Sequence, residues 1–137
     1  MTAEADAAFV VHEHHARRLH YDLRLERDGV LKSWAIPKGI PDTPGIKHLA
    51  VEVGDHPLTF LDFSGEIPEG QYGAGSIVIW DTGRYIAKFW GPDMIEIVAL
   101  GSKMRGLYVL VRFHKAGDRN WLMMLTDPLE DKGNAGA

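Results

Sequence analysis

The sequence predicts an all-β, mainly antiparallel fold: a compact β-barrel of about eight strands with long loops and little helix. Nine short apolar or alternating runs recur along the 137 residues, and turn dipeptides or Gly/Pro clusters separate most of them. Helical periodicity is scarce and places no helix.

In chain order the runs are FVVHEH (9–14), LHYDLRLE (19–26), VLKSWAI (30–36), HLAVEV (48–53), SIVIWD (76–81), RYIAKF (84–89), MIEIVAL (94–100), GLYVLVRF (106–113) and WLMMLT (121–126). Turns are expected at Asp28-Gly29, Pro41-Asp42, Pro68 to Gly75, Thr82-Gly83, Gly91-Pro92, Gly101-Ser102 and Gly117-Asp118. Segment 57–75 is too rich in Gly and Pro for regular structure and long for a barrel loop, which marks it as a candidate functional loop. The four tryptophans sit in or beside strand runs, as core residues do. One domain over 1–137 is expected, with its core at about 9–126 and loose ends at 1–6 and 128–137.

Composition narrows the function. No segment approaches the roughly 20 apolar residues that span a bilayer, and the N-terminus lacks a signal-peptide pattern, so a cytoplasmic protein without a membrane partner is expected. Cysteine is absent, which removes disulfides, thiolate nucleophiles and Cys-ligated zinc, so any metal is held by His, Asp or Glu. The net charge of −4 gives no global attraction to nucleic acid. Only a local basic surface could meet it, from 12–27 (Arg17, Arg18, Arg24, Arg27) or 103–119 (Lys103, Arg105, Arg112, Lys115, Arg119). Ordinary solvated charge explains the same residues equally well.

The run LHYDLRLE poses a geometry problem. Alternate side chains share a strand face, so Leu19, Tyr21, Leu23 and Leu25 form one row and His20, Asp22, Arg24 and Glu26 the other. A two-residue turn at Asp28-Gly29 pairs Arg27 with Val30, Leu25 with Lys32, Leu23 with Trp34 and Tyr21 with Ile36. It also sets Ser33 opposite Arg24 and Ala35 opposite Asp22, small residues that leave room for a ligand, and brings Lys38 toward the end of the row. His20 and Asp22 can share one cation, and imidazole plus carboxylate suits Mn²⁺, Zn²⁺ or Fe²⁺ better than Ca²⁺. A third ligand can come from His12 or His14, which share a face of the preceding strand. Arg24 would then meet a phosphate oxygen, with His56, Lys38 and His48 as further candidates. The competing explanation is a half-exposed strand with its polar row in water.

These residues carry a resemblance. FVVHEHHARRLHYDLRLERDGVLKSWAIPKG (9–39), LAVEVGDHPL (49–58), GEIPEGQYGAGSIVIWDTG (65–83) and the last strand resemble the 3′-phosphoesterase domain of bacterial DNA ligase D and its free-standing relatives, over about residues 9–126. The resemblance implies a β-barrel enzyme of DNA end joining. Such an enzyme is stimulated by Mn²⁺, with Zn²⁺ or Co²⁺ as alternatives. It removes a 3′-terminal ribonucleotide and then the 3′-phosphate from primer-template ends, leaving a 3′-OH. It implies metal ligands at His14, His20 and Asp22, catalytic and phosphate-binding roles for Arg24 and His56, and further phosphate contacts at Lys38, His48 and Ser33. It further implies a monomer working with a DNA ligase and polymerase in trans. Three departures stand out: His15 follows the first His where Asp is common, Gly54 stands where Glu precedes Asp-His-Pro, and His48 replaces a basic residue. Leu125 also stands where Lys is frequent. Either Gly54 weakens one of the two activities or a nearby acid, Glu52 or Asp55, compensates; the alternative reading is a catalytically weakened module that binds DNA 3′ ends and recruits a ligase. A cupin-like barrel acting on small molecules is a third possibility, without its usual histidine motifs.

Overall fold

The computed structural model describes residues 6–129. The expected loose ends fall almost wholly outside that range. Nine strands form one antiparallel sheet: β1 (Asp6–His15), β2 (Leu19–Arg27), β3 (Val30–Ile36), β4 (Lys47–His56), β5 (Gly65–Ile67), β6 (Gly75–Trp90), β7 (Met94–Leu100), β8 (Arg105–Arg112) and β9 (Asn120–Pro128). The order β1-β2-β3-β4-β9-β8-β7-β6 closes on itself, because β6 also pairs with β1, and β5 attaches to the outer edge of β6. Eight strands therefore form the ring. Among the described residues helix is limited to two 3-10 segments, Leu58–Asp62 and His114–Ala116, and neither is long and apolar enough to cross a membrane.

The β2–β3 hairpin forms in the expected register, with Asp28 (φ 56°) and Gly29 (φ 82°) both in the left-handed region that a two-residue hairpin turn requires. Trp34 and Ile36 join Leu23 and Leu25 inside the ring, together with Phe9, Val11, Tyr85, Tyr108, Leu110, Trp121 and Met123. Burying each large apolar side chain stabilises by about 1.5–3 kcal/mol. Leu19 departs from its row and is 47% exposed, because it lies at the mouth of the β1–β2 connection, paired only with His15.

Two expectations about connections change. Thr82-Gly83 makes no turn, and β6 runs through both predicted runs as one strand of 16 residues. A Cβ at Gly83 would lie 2.8 Å from the Leu100 carbonyl oxygen, so this glycine permits close approach of a neighbouring strand end instead of reversing the chain. Buried Asp81 secures that approach by accepting backbone N–H bonds from Thr82, Ser102, Lys103 and Met104. Segment 57–75 holds a 3-10 turn and β5, and it lies against the outer face of β1–β3.

Candidate active site

Strand alternation decides which side chains meet. In the β1–β2 register His14 faces His20 and His12 faces Asp22, while β3 sets Ala35 beside Asp22 and Ser33 beside Arg24. This polar row lies on the outer face of the ring, yet Asp22, Arg24, His12 and His14 are buried. The cover is segment 57–75. Phe60 stacks on Phe63 and stands 5.3 Å beneath the Arg24 guanidinium, and the Phe63 and Ala74 carbonyls bond His12 and His14.

One ligand atom from each of His14, His20 and Asp22 lies within 4.8 Å of the other two. His14 donates from Nε2 to the Ala74 carbonyl (2.9 Å), and His20 donates from Nδ1 to the Arg18 carbonyl (3.1 Å). Each ring thus keeps a lone pair on its inner nitrogen, His14 Nδ1 and His20 Nε2, which approach to 3.1 Å with the Asp22 carboxylate 3.2–3.3 Å away. Backbone carbonyls that fix the tautomers are what metal-binding imidazoles ordinarily have. The Asp22 carboxylate favours positive charge at this point: a proton on His20 Nε2 would bond Asp22, which raises the His20 pKa. Burial works against ionised Asp22, but the His20 bond and the Arg24 charge outweigh it and hold the carboxyl below its usual range. Two imidazoles and one carboxylate, all from strands, therefore fit a divalent cation. The set is a candidate metal site. Gly75 (φ 122°) makes the Ala74 contact possible, since a Cβ there would lie 2.5 Å from the His15 carbonyl oxygen.

Arg24 is the hub beside it. Its guanidinium donates from Nε to His12 Nδ1 (3.2 Å), from one terminal nitrogen to Ser33 Oγ (3.0 Å) and from the other to Asp22 Oδ2 (3.3 Å). Three of its five N–H groups are engaged, leaving two for an incoming oxyanion. Burial lowers the Arg24 pKa, and Asp22 opposes the shift. His12 is fully buried and, by burial first and the Arg24 charge second, is pushed down to about 4, so it is neutral at pH 7. It donates from Nε2 to Phe63 and accepts from Arg24, which makes it a bracket between cover and cation. The sequence offered it only as an alternative ligand.

The site opens into a cavity of about 280 Å³ lined by His14, His20, Asp22, Arg24, His56, Ala35, Val53 and, from the cover, Tyr72, Gly73 and Ala74. His56 enters through a bulge. Ser33 pairs with Val53 but Leu31 with His56, so one extra residue on β4 turns both Val53 and His56 outward. His56 donates from Nδ1 to the Gly54 carbonyl (3.1 Å), and burial followed by the Arg24 charge lowers its pKa.

Other expected residues lie elsewhere. Ser33 is buried and spends its hydroxyl on Arg24 and the Leu31 carbonyl, so it positions Arg24. Lys38 is exposed on the turn after β3, and His48 bonds the Gly39 carbonyl (2.6 Å); neither lines the cavity. The compensating acid does not appear: Glu52 accepts from Trp121 Nε1, Asp55 pairs with Lys32, and Asp22 is the only carboxylate lining the cavity among the described residues. Packing does not force glycine at 54, where a Cβ would meet nothing within 4 Å. Glu26, the last member of the polar row, accepts the Ala8 N–H. Tyr72 to Ala74 were missed, because a glycine-rich loop gives no period from which to read its facing. A larger open hollow of about 610 Å³ beside Asp42, Lys103 and Arg105 gathers no metal-ligating cluster, so the chemistry selects the smaller cavity.

Comparison with known proteins agrees. Residues 12–112 match the model of the DNA Ligase D 3′-phosphoesterase domain. The multifunctional non-homologous end joining protein LigD of Mycobacterium bovis is 52% identical over 118 residues, 83% of this chain and 15% of the relative. The LigD of Mycolicibacterium smegmatis is 48% identical over 138 residues (93% and 17%), and that of Pseudomonas aeruginosa 43% over 122 (85% and 14%). The chain spans only 14% to 17% of the length of these relatives. With its closed β ring, the clustered His14, His20 and Asp22 and these matches, the chain belongs to the DNA ligase D 3′-phosphoesterase domain family.

Proposed function

We propose that the protein is a Mn²⁺-dependent phosphoesterase of DNA 3′ ends. It removes a 3′-terminal ribonucleotide by phosphodiester cleavage and a 3′-phosphate by monoester cleavage, leaving a 3′-OH for a ligase during end joining. The observation that carries this reading is the convergence of two imidazole lone pairs and one carboxylate beside a buried arginine with two free N–H groups. Metal plus guanidinium is a pairing suited to a phosphate ester.

His14, His20 and Asp22 would hold the cation, which when bound supplies Lewis acidity at a phosphate oxygen. Zn²⁺ or Co²⁺ would suit the same donors. Arg24 directs its remaining donors at the oxyanion and stabilises charge that grows in the transition state, kept rigid by His12 and Ser33. His56, neutral with Nδ1 tied to Gly54, keeps Nε2 for a proton exchanged at the attacking or leaving oxygen. Lys38 is an outer cation for a longer strand, and His48 braces its turn through Gly39. A monomer in the cytoplasm, acting with ligase and polymerase chains in trans, completes the proposal.

One observation favours a second reading. With no carboxylate besides Asp22 lining the cavity among the described residues, the chain would be a catalytically weakened module that binds DNA 3′ ends and recruits a ligase. A primer-template ending in a ribonucleotide or a 3′-phosphate, incubated with and without Mn²⁺, separates the two. Metal-dependent release of a 3′-OH strand, absent in His20→Ala, supports the enzyme. Tight end binding without product supports the module.

A further inference from the structure

The GQYGAG stretch places an aromatic ring at the rim of the cavity. Gln71 N–H bonds the Pro68 carbonyl (3.3 Å) and Ala74 N–H bonds the Gln71 carbonyl (3.1 Å), so two consecutive turns shape the loop. Tyr72 occupies the corner of the second turn, with Gly73 (φ 79°) after it in the left-handed position that such a turn demands. Tyr72 lines the cavity yet is 82% exposed, the most exposed large hydrophobic residue among the described residues. Folding does not account for it, since the other aromatics of the cover, Phe60 and Phe63, stack on each other. Its position is nevertheless set closely, because Ala74 two residues later anchors the His14 ring. Beyond Ala16 and Ala74, which border both hollows, a second groove is lined by exposed Arg17.

We infer that Tyr72 is a stacking platform for the nucleobase of the 3′-terminal nucleotide. This rests on the proposed 3′-end chemistry and names the substrate feature its site selects: a base on the nucleotide that bears the phosphate. A phosphate seated between Arg24 and the metal ligands is enclosed by the cavity, while its base must leave through the rim, where Tyr72 is the only exposed aromatic lining residue among the described residues. Every base has a π face, so the platform accepts all four and rejects an abasic end. The strand continues toward Arg17, whose guanidinium suits the next phosphate.

Two measurements test this. The dissociation constant of a strand with a normal 3′ end should rise roughly tenfold to a hundredfold in Tyr72→Ala, the range of one aromatic–base stack. The same variant should leave an abasic 3′ end within about twofold. Separately, 2-aminopurine as the terminal base of a 3′-hydroxyl strand should be quenched by the wild type and by Tyr72→Phe, but not by Tyr72→Ala. Equal losses on normal and abasic ends, or unchanged quenching in Tyr72→Ala, overturn the platform. Because quenching needs no turnover, Tyr72-dependent quenching without hydrolysis upholds the platform while removing the catalytic reading. Hydrolysis with Tyr72-independent quenching does the reverse.

Discussion

Strand β2 is buried on both faces, for opposite reasons. Its inner row, Leu23 and Leu25, lies in the ring core against Trp34, Phe9 and their neighbours. Its outer row, Asp22 and Arg24, is as enclosed, but by hydrogen bonds, two aromatic rings and a loop that carries Ala74 and Tyr72. Removing water from apolar surface is favourable, whereas removing it from charge is costly unless every group is paired. The inner row therefore stabilises the fold, and the outer row spends some of that stability on a preorganised site.

The largest expected effect separates the rows by activity. His20→Ala, with His20 half-buried at the cavity, should lower Mn²⁺-dependent 3′-phosphate release by at least about a thousandfold, since a missing ligand removes the cation itself. Its melting temperature without metal should stay within a few degrees of the wild type. A thermal collapse instead would mean that the outer row is structural. Added Mn²⁺ should raise the melting temperature of the wild type but not of this variant, a linkage that thermal scans with and without metal report directly.

Next comes the cost of a broken charge pair. Arg24→Ala should destabilise by about 3–5 kcal/mol in urea unfolding, because it leaves buried Asp22 with only imidazole partners and buried His12 without its donor. Leu23→Ala on the inner row should cost about 2–5 kcal/mol by cavity formation, while the activity of the folded fraction survives. If Leu23→Ala abolished turnover in folded protein, the division between rows would fail.

The smallest effect concerns pH. Burial pushes both Tyr85 and Tyr108 up to about 12 from an ordinary 10. A phenol whose folded pKa is raised contributes stability that is complete below pH 10. That stability is lost as the pH climbs to 12, because the unfolded chain ionises first. Each tyrosine should account for about 2 kcal/mol of this alkaline loss, and Tyr108→Phe should flatten the stability curve between pH 10 and 12. An unchanged slope would show that Tyr108 is not buried as the inner face requires.

Much of the site was legible because it depends on local periodicity. A strand period of two separates Asp22 and Arg24 from Leu23 and Leu25, and Asp28-Gly29 sets the β3 register that brings Ser33 and Ala35 opposite them. His56 was legible only as a candidate. Its facing depends on the bulge at 54–55, and a single inserted residue inverts any face read by alternation. The roles of His12, Ser33 and Glu26 as brackets were not legible for a related reason: they depend on partners 9 to 51 residues away.

The sequence by itself determined most of the strands, the β2–β3 hairpin and the residue types at the site, because these follow from side-chain alternation and turn stereochemistry over a few residues. Only the tertiary structure decided that β6 runs unbroken to close the ring on β1. It also brought His14, the ligand that the resemblance implied, opposite His20, and laid segment 57–75 over the outer face to bury Arg24. Those outcomes rest on contacts between distant segments, whose closure no local pattern encodes.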